Sequence, residues 1–192
     1  MARPQSRTRM VVAGVATLAA LAVPATAFTA PLHGGGCSPS GTLVTKQAES
    51  KSFTYTLTVG PAETMVGSAA GAKTKGLADA EVMVGGSMDM LKGATNHLEV
   101  HVCGIRSRKV VGSPVAGISL ADLTAGTSLV VPVMVMQSLD GGGMDRHFGN
   151  NVPLVAGHRY RVIVTMRGET AAFAFVGPKG GKAAAADMKM KG

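Results

Sequence analysis

The sequence predicts an all-β protein built as an antiparallel sandwich, and three observations carry that prediction. Phe53, Tyr55, Leu57 and Val59 alternate with Ser52, Thr54, Thr56 and Thr58, the period of two that describes a half-buried strand. The same period returns at 81–84, 97–102, 129–136, 159–166 and 171–176, with Gly-rich or charged turns between the runs at 85–86, 105–109, 141–143 and 167–170. No segment beyond the N-terminus sustains an amphipathic helix; the best candidate, 69–80, is interrupted by Gly71 and Gly76.

The chain has 192 residues, a length that suits one domain. Hydrophobic residues make up 46% but aromatics only 4%, so Val, Ala, Leu and Met must fill the core, and a nucleic-acid module that stacks bases on aromatic rings is excluded. Twelve methionines stand out, because thioethers are adaptable core fillers and also soft metal ligands.

Arg3, Arg7 and Arg9 precede the apolar run Met10 to Val23, and Ala25-Thr26-Ala27 follows. This is the pattern of a secretory signal peptide cleaved after Ala27; the run is too short for a membrane anchor and ends at Pro24. Residues 1–27 contain three arginines and no acid, so their removal leaves 16 cations against 11 acids, a charge of +5. Those cations are scattered, and no basic stripe argues for nucleic acid. Residues 28–50 read as a flexible lead-in, 51–177 as the β-sandwich, and 178–192, rich in Gly, Ala and Lys, as a disordered tail.

Export to the envelope or periplasm also changes the meaning of the two cysteines, since an oxidising compartment permits a Cys37–Cys103 bridge. The bridge is the expectation; a buried free Cys103 and a thiolate ligand are the competing readings. Gly36-Cys37 as a lipid attachment site is disfavoured by the triple glycine before the Cys.

Along Asn96 to Cys103, a strand puts His97, Glu99, His101 and Cys103 on one face and Leu98, Val100 and Val102 on the other. The apolar face must be the core side. Two imidazoles therefore flank a carboxylate at about 7 Å intervals, and alternate positions can address one ion. A second run, Leu129 to Gln137, sets Val131, Val133 and Val135 against Pro132, Met134 and Met136. A fully buried strand explains that pattern as well as a ligand role does. A Gly-rich loop then presents His147, followed by Phe148-Gly149-Asn150-Asn151-Val152.

With His97-Leu98-Glu99 opening a strand, the Met134-x-Met136 pair, and His147-Phe148-Gly149-Asn150-Asn151-Val152 before the strand ending Tyr160 to Val164, the sequence resembles the periplasmic iron-transport accessory proteins, which bind copper or iron on an immunoglobulin-like sandwich. The resemblance covers roughly 79–176. It implies an immunoglobulin-like fold and a metal site of His97, Glu99, one Met and His147, with Met136 as first choice of thioether and Met134 as second. For the further late histidine of that family, His101 is the nearest substitute; His158, at a Gly-His-Arg turn, reads as solvated. The same resemblance implies delivery of the metal to a membrane iron permease and is compatible with a homodimer.

The donor chemistry is coherent in its own right. Imidazole with thioether suits copper, and imidazole with carboxylate suits iron(II). Binding needs neutral imidazole, so affinity is expected to fall as pH drops toward the ordinary His pKa of about 6.5. The expected class is thus an exported, non-enzymatic protein that binds copper, iron(II) or both. The alternative is a structural or interaction sandwich of the envelope without a metal. A hydrolase is the weakest reading, since Gly-x-Ser-x-Gly and nucleophile contexts are absent.

Overall fold

In the computed structural model, the described residues are 37, 44–67, 80–87, 89–138 and 145–179. The signal peptide, the 141–143 loop, the tail beyond 179, and the helix candidate apart from Ala80 lie outside them. Eleven strands form among the described residues, and no α-helix does: β1 (Val44–Glu49), β2 (Phe53–Pro61), β3 (Thr64–Gly67), β4 (Ala80–Gly86), β5 (Asn96–Gly104), β6 (Gly117–Asp122), β7 (Thr127–Val131), β8 (Met134–Ser138), β9 (His147–Val152), β10 (Arg159–Met166) and β11 (Glu169–Val176).

They make two sheets, one of seven strands in the order β1-β2-β5-β9-β8-β4-β3 and one of four in the order β11-β10-β6-β7. All neighbours are antiparallel except β3 and β4, which are parallel. The all-β sandwich is therefore the architecture, with one parallel pair at an edge.

Alternation explains the core. The inward residues of β2 (Phe53, Tyr55, Leu57, Val59) and β5 (Leu98, Val100, Val102) meet Ile118 and Leu120 of β6, Tyr160, Val162 and Val164 of β10, and Phe173 and Phe175 of β11. Burial of apolar area at about 25 cal/mol per Å² is the main force joining the sheets. Polar ties close one end of the sandwich: Ser52 N–H and the Ser50 hydroxyl donate to the Glu169 carboxylate, and the Tyr55 hydroxyl donates to the Glu169 carbonyl. Cys37 and Cys103 are disulfide-bonded, as the exported reading anticipates.

Three expectations are corrected. Val44–Glu49, read as part of the flexible 28–50 lead-in, is the edge strand β1, paired along its length with β2 from Val44↔Val59 to Glu49↔Thr54. The single run 129–136 is two strands in different sheets: β7 ends at Val131 in the four-stranded sheet and β8 begins at Met134 in the other. Pro132 has no N–H to give a ladder, so the chain changes sheets there, and the Asn150 amide donates to the Pro132 carbonyl at 2.7 Å. Gly85-Gly86 is not a turn but a bulge within β4, where the register against β8 shifts after Met83. Gly86 has φ +84°, and a Cβ there would meet the Val133 carbonyl, so the bulge requires glycine.

Candidate metal centre

β5 runs through the middle of the larger sheet, and register decides what stands beside its outward residues. His97 is opposite Asn151 and Glu99 opposite Gly149 on β9; Met136 of β8 is opposite His147, Met134 opposite Gly149, and Met83 of β4 opposite Met136. These side chains share the face of the sheet that points away from the partner sheet. The sequence reading leaves this face solvated or ligand-bearing. The structure buries it: His97, His101 and His147 are each 1% exposed, and Met134 and Met136 are fully covered.

A buried polar face must be satisfied, and here it is satisfied unevenly. The Asn151 amide is oriented by the Glu63 backbone, its Oδ1 accepting from Glu63 N–H at 3.1 Å and its Nδ2 donating to the Glu63 carbonyl at 2.8 Å. Because Oδ1 only accepts, His97 Nδ1, 3.1 Å away, carries the ring proton. His97 Nε2 is then a bare lone pair, buried and without a hydrogen-bond partner. His147 repeats the arrangement: Nδ1 donates to the Asp145 carbonyl at 2.9 Å, and Nε2 is left as a lone pair without a donor. This outer anchoring is how proteins aim imidazole ligands.

Electrostatics separates the three histidines. Burial, reinforced by the neighbouring His147, holds His97 down to about 4, and burial also lowers His147. For His101, burial favours the neutral ring, but the hydrogen bond from Nε2 to Asp145 Oδ1 (3.1 Å) and the 3.0 Å approach of Nδ1 to Glu99 Oε1 outweigh it and push the pKa up to about 9. His101 is an imidazolium clasped by two carboxylates. Burial opposes ionisation of Glu99, yet the contact with His101 and the other two rings bring it to about 2.

Glu81 of β4 is the reverse case. Burial, then repulsion from Glu63, Glu99 and Asp145, raises it to about 9. Its Oε2 stands 3.4 Å from His147 Nε2, and neither atom has a hydrogen-bond partner.

Among the described residues, two groups of ligand-type atoms converge within 4.8 Å of one another: His97, Glu99 and His147, and His101, Asp145 and His147. The first offers two neutral imidazoles and an ionised carboxylate, a donor set suited to iron(II), zinc or copper(II). In the second, the His101 nitrogens are already taken by Asp145 and Glu99. Of the residues anticipated from the sequence, His97, Glu99 and His147 meet in one group and His101 joins His147 in the other; Met136 adjoins His147 in register and Met134 adjoins Gly149. His158 is elsewhere, 2.8 Å from Asp122 where β6 ends and β10 begins in the smaller sheet.

Sequence reasoning missed Glu81, Asp145 and Asn151. The signal was there in period two: Glu81 alternates with Met83 on one face of β4, and Asp145, His147, Gly149 and Asn151 form one alternating series. Only the cross-strand register brings Glu81 to His147.

The raised groups set the pH response of the metal-free protein. A carboxyl or imidazole whose folded pKa exceeds its unfolded value contributes stability at low pH that is lost as pH rises through the folded pKa. Glu81 and His101 both titrate near 9 when folded, so the metal-free protein should lose stability between pH 6.5 and 9. Thermal unfolding at the two pH values checks this. Glu81→Gln should raise the melting temperature at pH 9 and flatten the profile; an unchanged profile would mean that Glu81 ionises as an ordinary carboxyl.

No protein-family model, curated protein or solved structure matches this chain.

Proposed function

We propose that this chain is an exported metal-binding protein that holds copper or iron(II) through His97, Glu99 and His147, with Met136 as the neighbouring thioether, and passes the ion on in envelope metal transport, to a membrane iron permease. The observation that carries the binding reading is the pair of buried imidazole nitrogens without hydrogen-bond partners, His97 Nε2 and His147 Nε2, converging with the ionised Glu99. Such atoms are costly to bury, and one cation relieves them together. The Cys37–Cys103 disulfide supports an oxidising compartment, and the Arg-flanked apolar N-terminus supports export.

Titration of the purified protein with cobalt(II), as a spectroscopic substitute for iron(II), and with copper(II) tests the reading. One equivalent of each should bind. Burial holds His97 down to about 4 and lowers His147 in the same direction, so binding should fall off at a lower pH than the ordinary imidazole pKa of about 6.5 would give. Absence of binding by either ion would leave a structural sandwich as the better description. For transport, cells lacking the protein should accumulate less copper or iron from limiting medium.

A further inference from the structure

Met65 of β3, Met83 of β4, and Met134 and Met136 of β8 pack into a cluster of their own, separate from the core between the sheets. All four are at most 4% exposed. Among the described residues, the cluster contains no leucine, isoleucine or valine, whereas the buried residues of the large core include one methionine, Met166. If methionine served here only as a flexible filler, its use should follow irregular gaps throughout the interior; instead it is segregated on one face of one sheet.

The register explains the convergence. Met83 and Met136 are direct cross-strand partners, Met134 is two residues from Met136 on the same face, and Met65 lies beside Glu81, two residues before Met83 on β4. The row through Met83 and Met136 continues to His147, and Met65 is paired with Glu81, so the thioethers adjoin the imidazole and carboxylate donors.

We propose that Met65, Met83, Met134 and Met136 form a second metal site, a thioether site for a soft monovalent cation, copper(I) or silver(I), beside the His97–Glu99–His147 centre. Thioether sulfur is a soft neutral donor that selects copper(I) and offers little to iron(II) or zinc. Charge points the same way, because four neutral donors in a buried cluster leave the ion's charge uncompensated, a smaller penalty for a monovalent than for a divalent ion. The two lobes would sort ions by softness, and the thioether lobe stands on its own donors even if the imidazole centre binds nothing.

Silver(I), which does not oxidise in air, is the probe. Wild-type protein preloaded with cobalt(II) should take up one silver(I) without releasing cobalt, seen as a doubly loaded species by native mass spectrometry. The silver K-edge absorption spectrum of wild-type protein should show a shell of sulfur alone. Met65→Leu with Met83→Leu, which nearly conserves volume and hydrophobicity, should weaken silver(I) by about tenfold or more while cobalt(II) binding is unchanged. Displacement of cobalt by silver, nitrogen in the silver shell, or unaltered silver affinity in the double variant would each overturn the second site. Failure of cobalt(II) alone to bind would count against the imidazole centre and leave the thioether site standing. The wild-type spectrum decides the matter if the double variant does not fold.

Discussion

His147→Ala should weaken cobalt(II) and copper(II) binding by on the order of 100-fold or more, since even residues that merely orient a ligand typically contribute about 10- to 100-fold. His147 belongs to both groups of converging donors found among the described residues, so neither group survives its loss. Its ring is anchored at one end, where Nδ1 donates to the Asp145 carbonyl, while Nε2 stands 3.4 Å from Glu81 without a hydrogen bond. The substitution removes a bare lone pair rather than a satisfied one, which softens its effect on folding. His158→Ala, which removes the contact with Asp122 and the stacking on Tyr160 in the smaller sheet, should leave affinity unchanged. Calorimetric titration of both variants decides the point, and equal affinity of wild type and His147→Ala would refute the proposed centre.

Gly149→Ala should lower stability by about 3 kcal/mol, the upper range for forcing an extra group into a well-packed interior. For a chain of this length that corresponds to a melting point lower by roughly 6–12 °C. A Cβ at position 149 would fall on the Leu98 carbonyl and crowd Glu99 Cα at 3.1 Å. Both obstacles are backbone of the central strand β5, so no side chain can swing aside. The reason for glycine here is space, the close approach of two strands. Gly149 is also the register partner of both Glu99 and Met134, and pushing β9 outward would part Glu99 from His147. Metal should therefore protect the variant less than it protects the wild type in thermal unfolding. An unshifted melting point would show that β9 can yield without cost.

How far the fold could be read depended on whether a strand has one dry face and one wet one. β10 does, with Tyr160, Val162 and Val164 buried and Arg159, Arg161 and Thr165 exposed. β2 is buried at Thr56 and Thr58 as well, but its second face is all threonine between Thr54 and Thr58, so Phe53 to Val59 still alternates in sequence and both strands were legible with the correct phase. β9 does not. His147-Phe148-Gly149-Asn150-Asn151-Val152 is buried at every position, so polar and apolar residues mix and the segment reads as a loop and turn. The 129–136 run failed for a different cause: its apolar pattern is continuous, and only the missing N–H of Pro132 marks the point where the chain leaves one sheet for the other. β1 was illegible because an edge strand with exposed Thr45, Lys46 and Gln47 carries no hydrophobic period.

By itself, the sequence determined the class of fold, the phase of the strands with a one-sided core, and the sharing of one face of β5 by His97, Glu99 and His101. All of these follow from the two-residue period of an extended chain, a local property. The tertiary structure alone decided that this face is buried rather than wet, that Glu81 comes within 3.4 Å of His147, that His101 is held as a cation while His97 and His147 keep bare nitrogens, and that four methionines gather beside them. These are consequences of strand order and register in a seven-stranded sheet. The segments that meet there are joined by contacts far apart in the chain, and proton placement depends on burial and neighbouring charge, neither of which a local period encodes.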